Sequence, residues 1–323
     1  MIQQEEQMVE LLASNREAID KSFTLESGDE DASAALVWTL AGKQATKEEM
    51  RACLDILKGK TSLLSAERQI GMLTLLSRMA LSGDPEAYLA EVQRIFKKIM
   101  EGKFFETTSR FGTAMIIANV SKTPEEADLL VKRAKEIFAR MDEKHPVITD
   151  DRDMTFAALI ALSDREDDEL MEDAEECYQL LGNGYKFTEG RQTMANLLAL
   201  SPLSPEEKVA RVEELRAAFK AHKISMGWTT SLEFATLAML VFDNRSADEI
   251  AADVAELKDA IKQHMGFGDL SIHGATRVLC AAVISMYCHQ TEQNVEDISS
   301  AIALAVAEAI LEWLIVILIC VIH

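Results

Sequence analysis

Apolar residues return at helical spacing along almost the whole chain, and they do so in blocks. The most apolar blocks begin at Arg68, Arg110, Arg152, Arg191, Ser231 and His273, so successive starts lie 42, 42, 39, 40 and 42 residues apart. Seven residues after each start stands Leu75, Ile117, Leu159, Leu198, Ala238 or Cys280, an apolar column of small-to-medium side chains suited to close helix packing. Between the blocks lie more polar stretches with the facing pairs Leu54/Leu57, Phe96/Ile99, Phe138/Met141 and Cys177/Leu180. The pattern predicts a polar helix A alternating with an apolar helix B.

Helix starts are marked independently. A Ser, Thr or Asp followed three residues later by Glu lets two side chains satisfy backbone N–H groups of the first turn. Such boxes begin at Thr46, Thr123, Ser163, Ser204 and Ser246, with a weaker cap at Asp84, where Pro85 takes the first helical position. Their spacings of 38, 39, 40, 41 and 42 residues give the same period. Gly59, Gly102 and Gly182 stand where A helices are expected to stop. Strand signals are almost absent.

The expected fold is therefore all-α: six or seven tandem helical hairpins of about forty residues, stacked as an α-solenoid or a closed α/α array. Residues 1–45 read as N-terminal capping helices that include a B-like helix around Trp38, residues 46–290 as six hairpins, and residues 291–323 as an apolar closing helix.

Composition narrows the partners. The chain has 323 residues, 48% of them hydrophobic, enough to bury a large core without staples. Its 54 Asp and Glu outweigh 33 Lys and Arg, and the formal charge of −21 repels phosphate backbones and anionic headgroups. Nucleic acid is excluded as a default partner and a membrane surface disfavoured. Five scattered cysteines, without a Cys-x-x-Cys pair, fit reduced thiols. With no basic, apolar leader at Met1, the expected location is the cytoplasm.

Candidate chemistry is sparse. Arg68, Arg110, Arg152 and Arg191 share one place in four successive repeats, at a helix start where a cation opposes the helix dipole. Either each arginine pairs with an acid such as Glu67, Glu106, Asp151 or Glu189 and stitches the stack, or the four form a ladder that cradles a carboxylate or phosphate. His145, Asp150, Asp151 and Arg152 share one A–B loop and supply a base and an electrophile, although Asp150 and Asp151 are also the residues expected to cap helix B. The run from Asp164 to Glu176 holds nine acids in thirteen residues and reads as a solvated face.

His264, His273, Cys280, Cys288 and His289 form a concentration without zinc-module spacing, so neither a metal nor a cofactor is expected. Glycine-rich phosphate loops, Gly-x-Ser-x-Gly elbows and His-Glu-x-x-His are missing. The tail from Ala301 to Ile322 is the most apolar stretch. Glu308 and Glu312 interrupt it and only ten residues follow uninterrupted, so it reads as a closing helix or a homo-oligomer contact rather than a membrane span.

Two motifs carry a family likeness. Lys144-His145-Pro146-Val147-Ile148-Thr149-Asp150-Asp151, followed by Ala157 to Leu162, and then Gly190 to Leu200 resemble the bacterial domain of unknown function 4003 family, whose second motif has His where Asn196 stands here. The likeness spans roughly residues 30 to 285. It implies the helical fold and supplies no reaction.

The functional expectation is a helical-repeat protein that binds a protein or peptide segment on its concave B-helix face. The competing expectation is an enzyme or a binder of small anions, with its polar site in the A–B loops at Arg68, Arg110, His145, Asp150, Asp151, Arg152 and Arg191.

Overall fold

Seven segments of this chain are rich in apolar residues, and such segments must be covered by neighbours. The computed structural model shows how. It describes residues 1–23, 27–63, 65–68, 71–102, 107–144, 153–163, 165–182, 188–225 and 230–292. Among these residues there are fourteen α-helices and no strand.

The helices pair into seven hairpins. The outer, more polar members are α1 (Gln3–Asp20), α3 (Lys47–Lys60), α5 (Pro85–Ile99), α7 (Pro124–Lys144), α9 (Asp167–Leu181), α11 (Pro205–Ala221) and α13 (Ala247–Gln263). The inner, apolar members are α2 (Gly28–Leu40), α4 (Met72–Leu81), α6 (Thr108–Val120), α8 (Asp153–Leu162), α10 (Thr188–Ala199), α12 (Thr230–Leu240) and α14 (Gly274–Glu292). At most junctions outer helices pack on outer helices and inner on inner, and at the junction of α7–α8 with α9–α10 it is α8 that meets α9.

The array closes on itself. α1 packs against α13 and α14, and α2 packs against α14, so the first hairpin completes the last. The joint is polar and specific: Asp29 at the start of α2 accepts bonds from the His273 backbone N–H at 3.0 Å, the His273 ring Nδ1 at 2.6 Å and the Thr276 hydroxyl at 2.5 Å. Arg16 of α1 lies 5.3 Å from the centre of the Phe267 ring, and Cys288 Sγ approaches Met8 Sδ at 3.3 Å. Gly266 has φ +88°, a conformation that favours glycine, and a Cβ there would push the Arg16 guanidinium aside.

Most helix starts lie where the capping pattern puts them. The hydroxyls of Thr46, Ser204 and Ser246 accept the N–H three residues on, and Glu207 and Glu249 return the bond to the cap. Asp84 and Thr123 cap α5 and α7. Ser163 is the exception. α9 starts at Asp167 behind Glu166, which makes no side-chain cap bond. The Ser163 carbonyl is bound by Arg133 and its hydroxyl by the Arg165 N–H, and this tight turn delays the helix by three residues.

Three smaller expectations also need correcting. Gly59 does not end α3, which runs on to Lys60, whereas Gly102 and Gly182 do follow their helices with positive φ. Leu180 is exposed, and Leu181 fills the core in its place. Arg68 lies on a short 3-10 turn, Ala66–Arg68, ahead of the inner helix α4 and not on it.

A second set of arginines interlocks neighbouring hairpins. Arg133 on α7 reaches the turn before α9, donating to the carbonyls of Ala161, Ser163 and Arg165 and to Asp167. Arg94 on α5 binds the Pro124 carbonyl and Asp128 in the first turns of α7, and Arg211 on α11 the carbonyls of Asp243 and Arg245 before α13. Arg133 and Arg211 thereby give turn carbonyls a charged donor at a packed junction.

Candidate functional site

The predicted arginine ladder divides when placed in the fold. Arg68 Nη2 donates to the carbonyls of Lys58 at 2.6 Å and Thr61 at 2.8 Å, at the end of its own outer helix α3. Arg191 Nη1 donates to the Gly182 carbonyl at 2.9 Å, just past the end of α9, and its guanidinium stacks 3.7 Å from the centre of the Tyr178 ring. A cation at a helix C-terminus is favoured by the dipole, which answers the puzzle of a cation at the start of helix B. Arg110 is buried at 4% exposure, 6.0 Å from the Phe138 ring centre. Arg68 thus donates to two carbonyls and the Thr61 hydroxyl, and Glu67 accepts from Gln93. His145, Asp150, Asp151 and Arg152 lie outside the described residues.

The acidic run is less solvated than its composition suggests. Asp167 and Asp168 accept from Arg133 and Arg140 of α7. Asp173 accepts from Arg165 and from Lys208, a lysine with no exposed surface. These pairs pin the start of α9 to α7 and its middle to α11.

Past the pins, the hairpins α7–α8 and α9–α10 leave a cavity of about 270 Å³. Met141 of α7, Phe156 of α8 and Met171 and Ala174 of α9 supply apolar walls, and Tyr178 stands among them with Arg191 on its face. Gln192 and Asn196 of α10 bring two amides, and the Asn196 amide also approaches Asp153 at 3.5 Å. Glu172, Glu175 and Glu176 stand at the mouth, exposed. No Lys or Arg is among the described lining residues, and the nearest described cation is Arg191, behind the Tyr178 ring. The residues that precede α8, 145–152, begin next to its Met141 wall in sequence.

The His and Cys concentration of the last hairpin belongs to the ring joint. His264 faces Glu10 at 3.8 Å, His273 binds Asp29, and His289 Nε2 lies 3.4 Å from Glu5 and 3.3 Å from Asp253. Glu5, Asp253 and His289 bring their donor atoms within 4.8 Å of one another. Asp253 Oδ2 already takes Arg245 at 2.9 Å and Ser285 at 2.6 Å, so the group is wired as an ion-pair network. Burial pushes the Glu5 carboxyl up to about 7, aided by its hydrogen bond to Asp253. Desolvation also raises the thiols, Cys53 and Cys177 to about 11 and Cys280 to about 12, which leaves them protonated and poor nucleophiles at neutral pH.

None of the described helices is long and apolar enough to cross a membrane. No curated protein and no solved structure matches the chain. The family described as "Protein of unknown function (DUF4003)" matches residues 15–319, nearly the whole length and including both motifs noted in the sequence, and the chain belongs to that family.

Proposed function

We propose that the protein binds a small amphipathic ligand in the cavity between α7–α8 and α9–α10. The observation that carries this reading is the cavity's composition. An apolar wall of Met141, Phe156 and Met171 meets two amides and a mouth of three glutamates, the arrangement of a pocket that orients a ligand by a few polar groups. Carboxylates without a lining cation favour a ligand with an apolar body and a cationic head.

A concave B-helix groove for a protein segment has less support. The inner helices that would line it are buried, and the large exposed apolar side chains, Leu63, Leu129, Leu180, Leu203, Met265 and Leu270, are scattered over several hairpins. The expected anion site at the A–B loops finds Arg68 and Arg191 already committed to carbonyls.

Octylamine and octanoate share an apolar body and differ in the sign of the head, which makes them suitable probes. Octylamine is expected to raise the melting temperature and octanoate to leave it unchanged, and Ala174→Phe, which fills the cavity, is expected to remove the octylamine effect. Stabilisation by octanoate alone overturns the cationic reading in favour of the anion site. An octylamine effect that survives Ala174→Phe places the binding elsewhere.

A further inference from the structure

The ion pairs at the ring joint leave one buried oxygen out. Glu5, in the first turn of α1, has no exposed surface. Its Oε2 accepts from the Ile2 N–H at 2.7 Å, whereas among the described residues no donor reaches Oε1 in hydrogen-bonding geometry. The Asp253 carboxylate beside it is itself an acceptor, so a hydrogen bond joins the two only while they share a proton. A buried carboxylate oxygen without a donor is costly unless a cation meets it.

We infer that Glu5, Asp253 and His289 form a binding site for one divalent transition-metal ion of the zinc type, which clasps the first hairpin to the last. The three side chains come from α1, α13 and α14, the helices whose contacts close the ring. His289 Nε2 lies 3.4 Å from Glu5 Oε1 and 3.3 Å from Asp253 Oδ2, and the three groups bring their donor atoms within 4.8 Å of one another. A tetrahedral zinc ion held at about 2.0–2.1 Å by nitrogen and oxygen keeps its ligand atoms about 3.3–3.4 Å apart. A charge-assisted hydrogen bond draws such atoms closer, to about 2.7–2.9 Å.

Charge points the same way. Asp243 holds the Arg245 guanidinium through both of its oxygens, and the Met1 ammonium pairs with Glu256. The charges of Glu5 and Asp253 remain among the described groups of the cluster, and a divalent ion neutralises both. Arg245 at 2.9 Å and Ser285 at 2.6 Å bind Asp253 through Oδ2, outer contacts of the kind that orient a ligating carboxylate, and Oδ1 of the same group is a further donor atom. An imidazole beside two carboxylates disfavours magnesium and calcium, which take oxygen, and suits zinc. His289 and Asp253 are partly exposed, which leaves a fourth position to water. Spacing along the chain could not show the site, because its members come from three helices of two distant hairpins.

The test uses the full-length chain, stripped with EDTA and then dialysed free of it. Zn²⁺ is expected to bind as one ion per chain and to raise the melting temperature, while Mg²⁺ and Ca²⁺ leave it unchanged. Co²⁺ in its place is expected to give the strong visible absorption of a four-coordinate site, a reading that needs no substitution. Glu5→Gln keeps an acceptor for the Ile2 N–H and removes the anionic ligand. It is expected to weaken Zn²⁺ binding at least tenfold and to abolish the cobalt band, since outer partners of a ligand alone are worth about 10–100-fold. Glu175→Gln, at the mouth of the cavity, is expected to change neither. Absence of Zn²⁺ binding, the pale spectrum of six-coordinate cobalt, or Zn²⁺ held as tightly by Glu5→Gln each overturns the inference. So does a loss of binding in Glu175→Gln, which assigns the ion to the cavity mouth.

Discussion

Arginines at the same place in successive repeats invited a ligand, and two of them, Arg68 and Arg191, donate to backbone carbonyls. Arg68 and Arg191 close the ends of α3 and α9, a role visible in the sequence only as a recurrence without a cause. The tying arginines Arg94 and Arg133 stand ten residues after the caps Asp84 and Thr123, a register that was legible but not singled out. Glu5 was invisible as anything but a helix-start acid, because its neighbours Asp253 and His289 are some 250 residues away. It gives a pH prediction. In the fold Glu5 stays protonated up to about 7, while in the unfolded chain it ionises near 4.5, so rising pH erodes stability between those values. Glu5→Gln, which keeps an acceptor for the Ile2 N–H, is expected to stabilise the protein at pH 8 by about 1–3 kcal/mol and to flatten that decline. Urea melts of both proteins from pH 4 to 8 check this, and superimposable curves speak against a buried, protonated Glu5.

At the scale of elements, capping chemistry and apolar spacing located most helices, because both are local and the backbone of a first turn has few other ways to be satisfied. Local rules failed where a neighbouring hairpin intervened. The Ser163 box predicts a helix start that Arg133 pre-empts by holding the turn's carbonyls, and α9 begins three residues later. Ser204→Ala is therefore expected to cost about 1 kcal/mol and to loosen amide exchange in the first turn of α11. Ser163→Ala is expected to leave the exchange of the first turn of α9 unchanged. Equal loosening at both sites would show that Ser163 caps after all. The cavity was legible only in part: Asn196 and Arg191 lay in a recognised motif, whereas Met141, Phe156 and Met171 were indistinguishable from core until two hairpins left space between them.

The repeat and its helical content could be read from the chain as a whole, but its closure could not. A ring and an open array share the same local pattern, and the residues that decide between them, Asp29 with His273 and Thr276, Arg16 with Phe267, and Met8 with Cys288, pair across more than 240 positions. The histidines and cysteines that stood out in the last hairpin are there to receive the first. The most direct test of a closed ring is a distance between its two ends, measured by pulsed electron resonance between spin labels on Glu10→Cys of α1 and Gln263→Cys of α13 in a Cys320→Ser background. Touching helices predict one narrow distribution at about 20 Å or less, whereas six open steps of about 9 Å put the same labels more than about 50 Å apart, and that longer distance would contradict the ring.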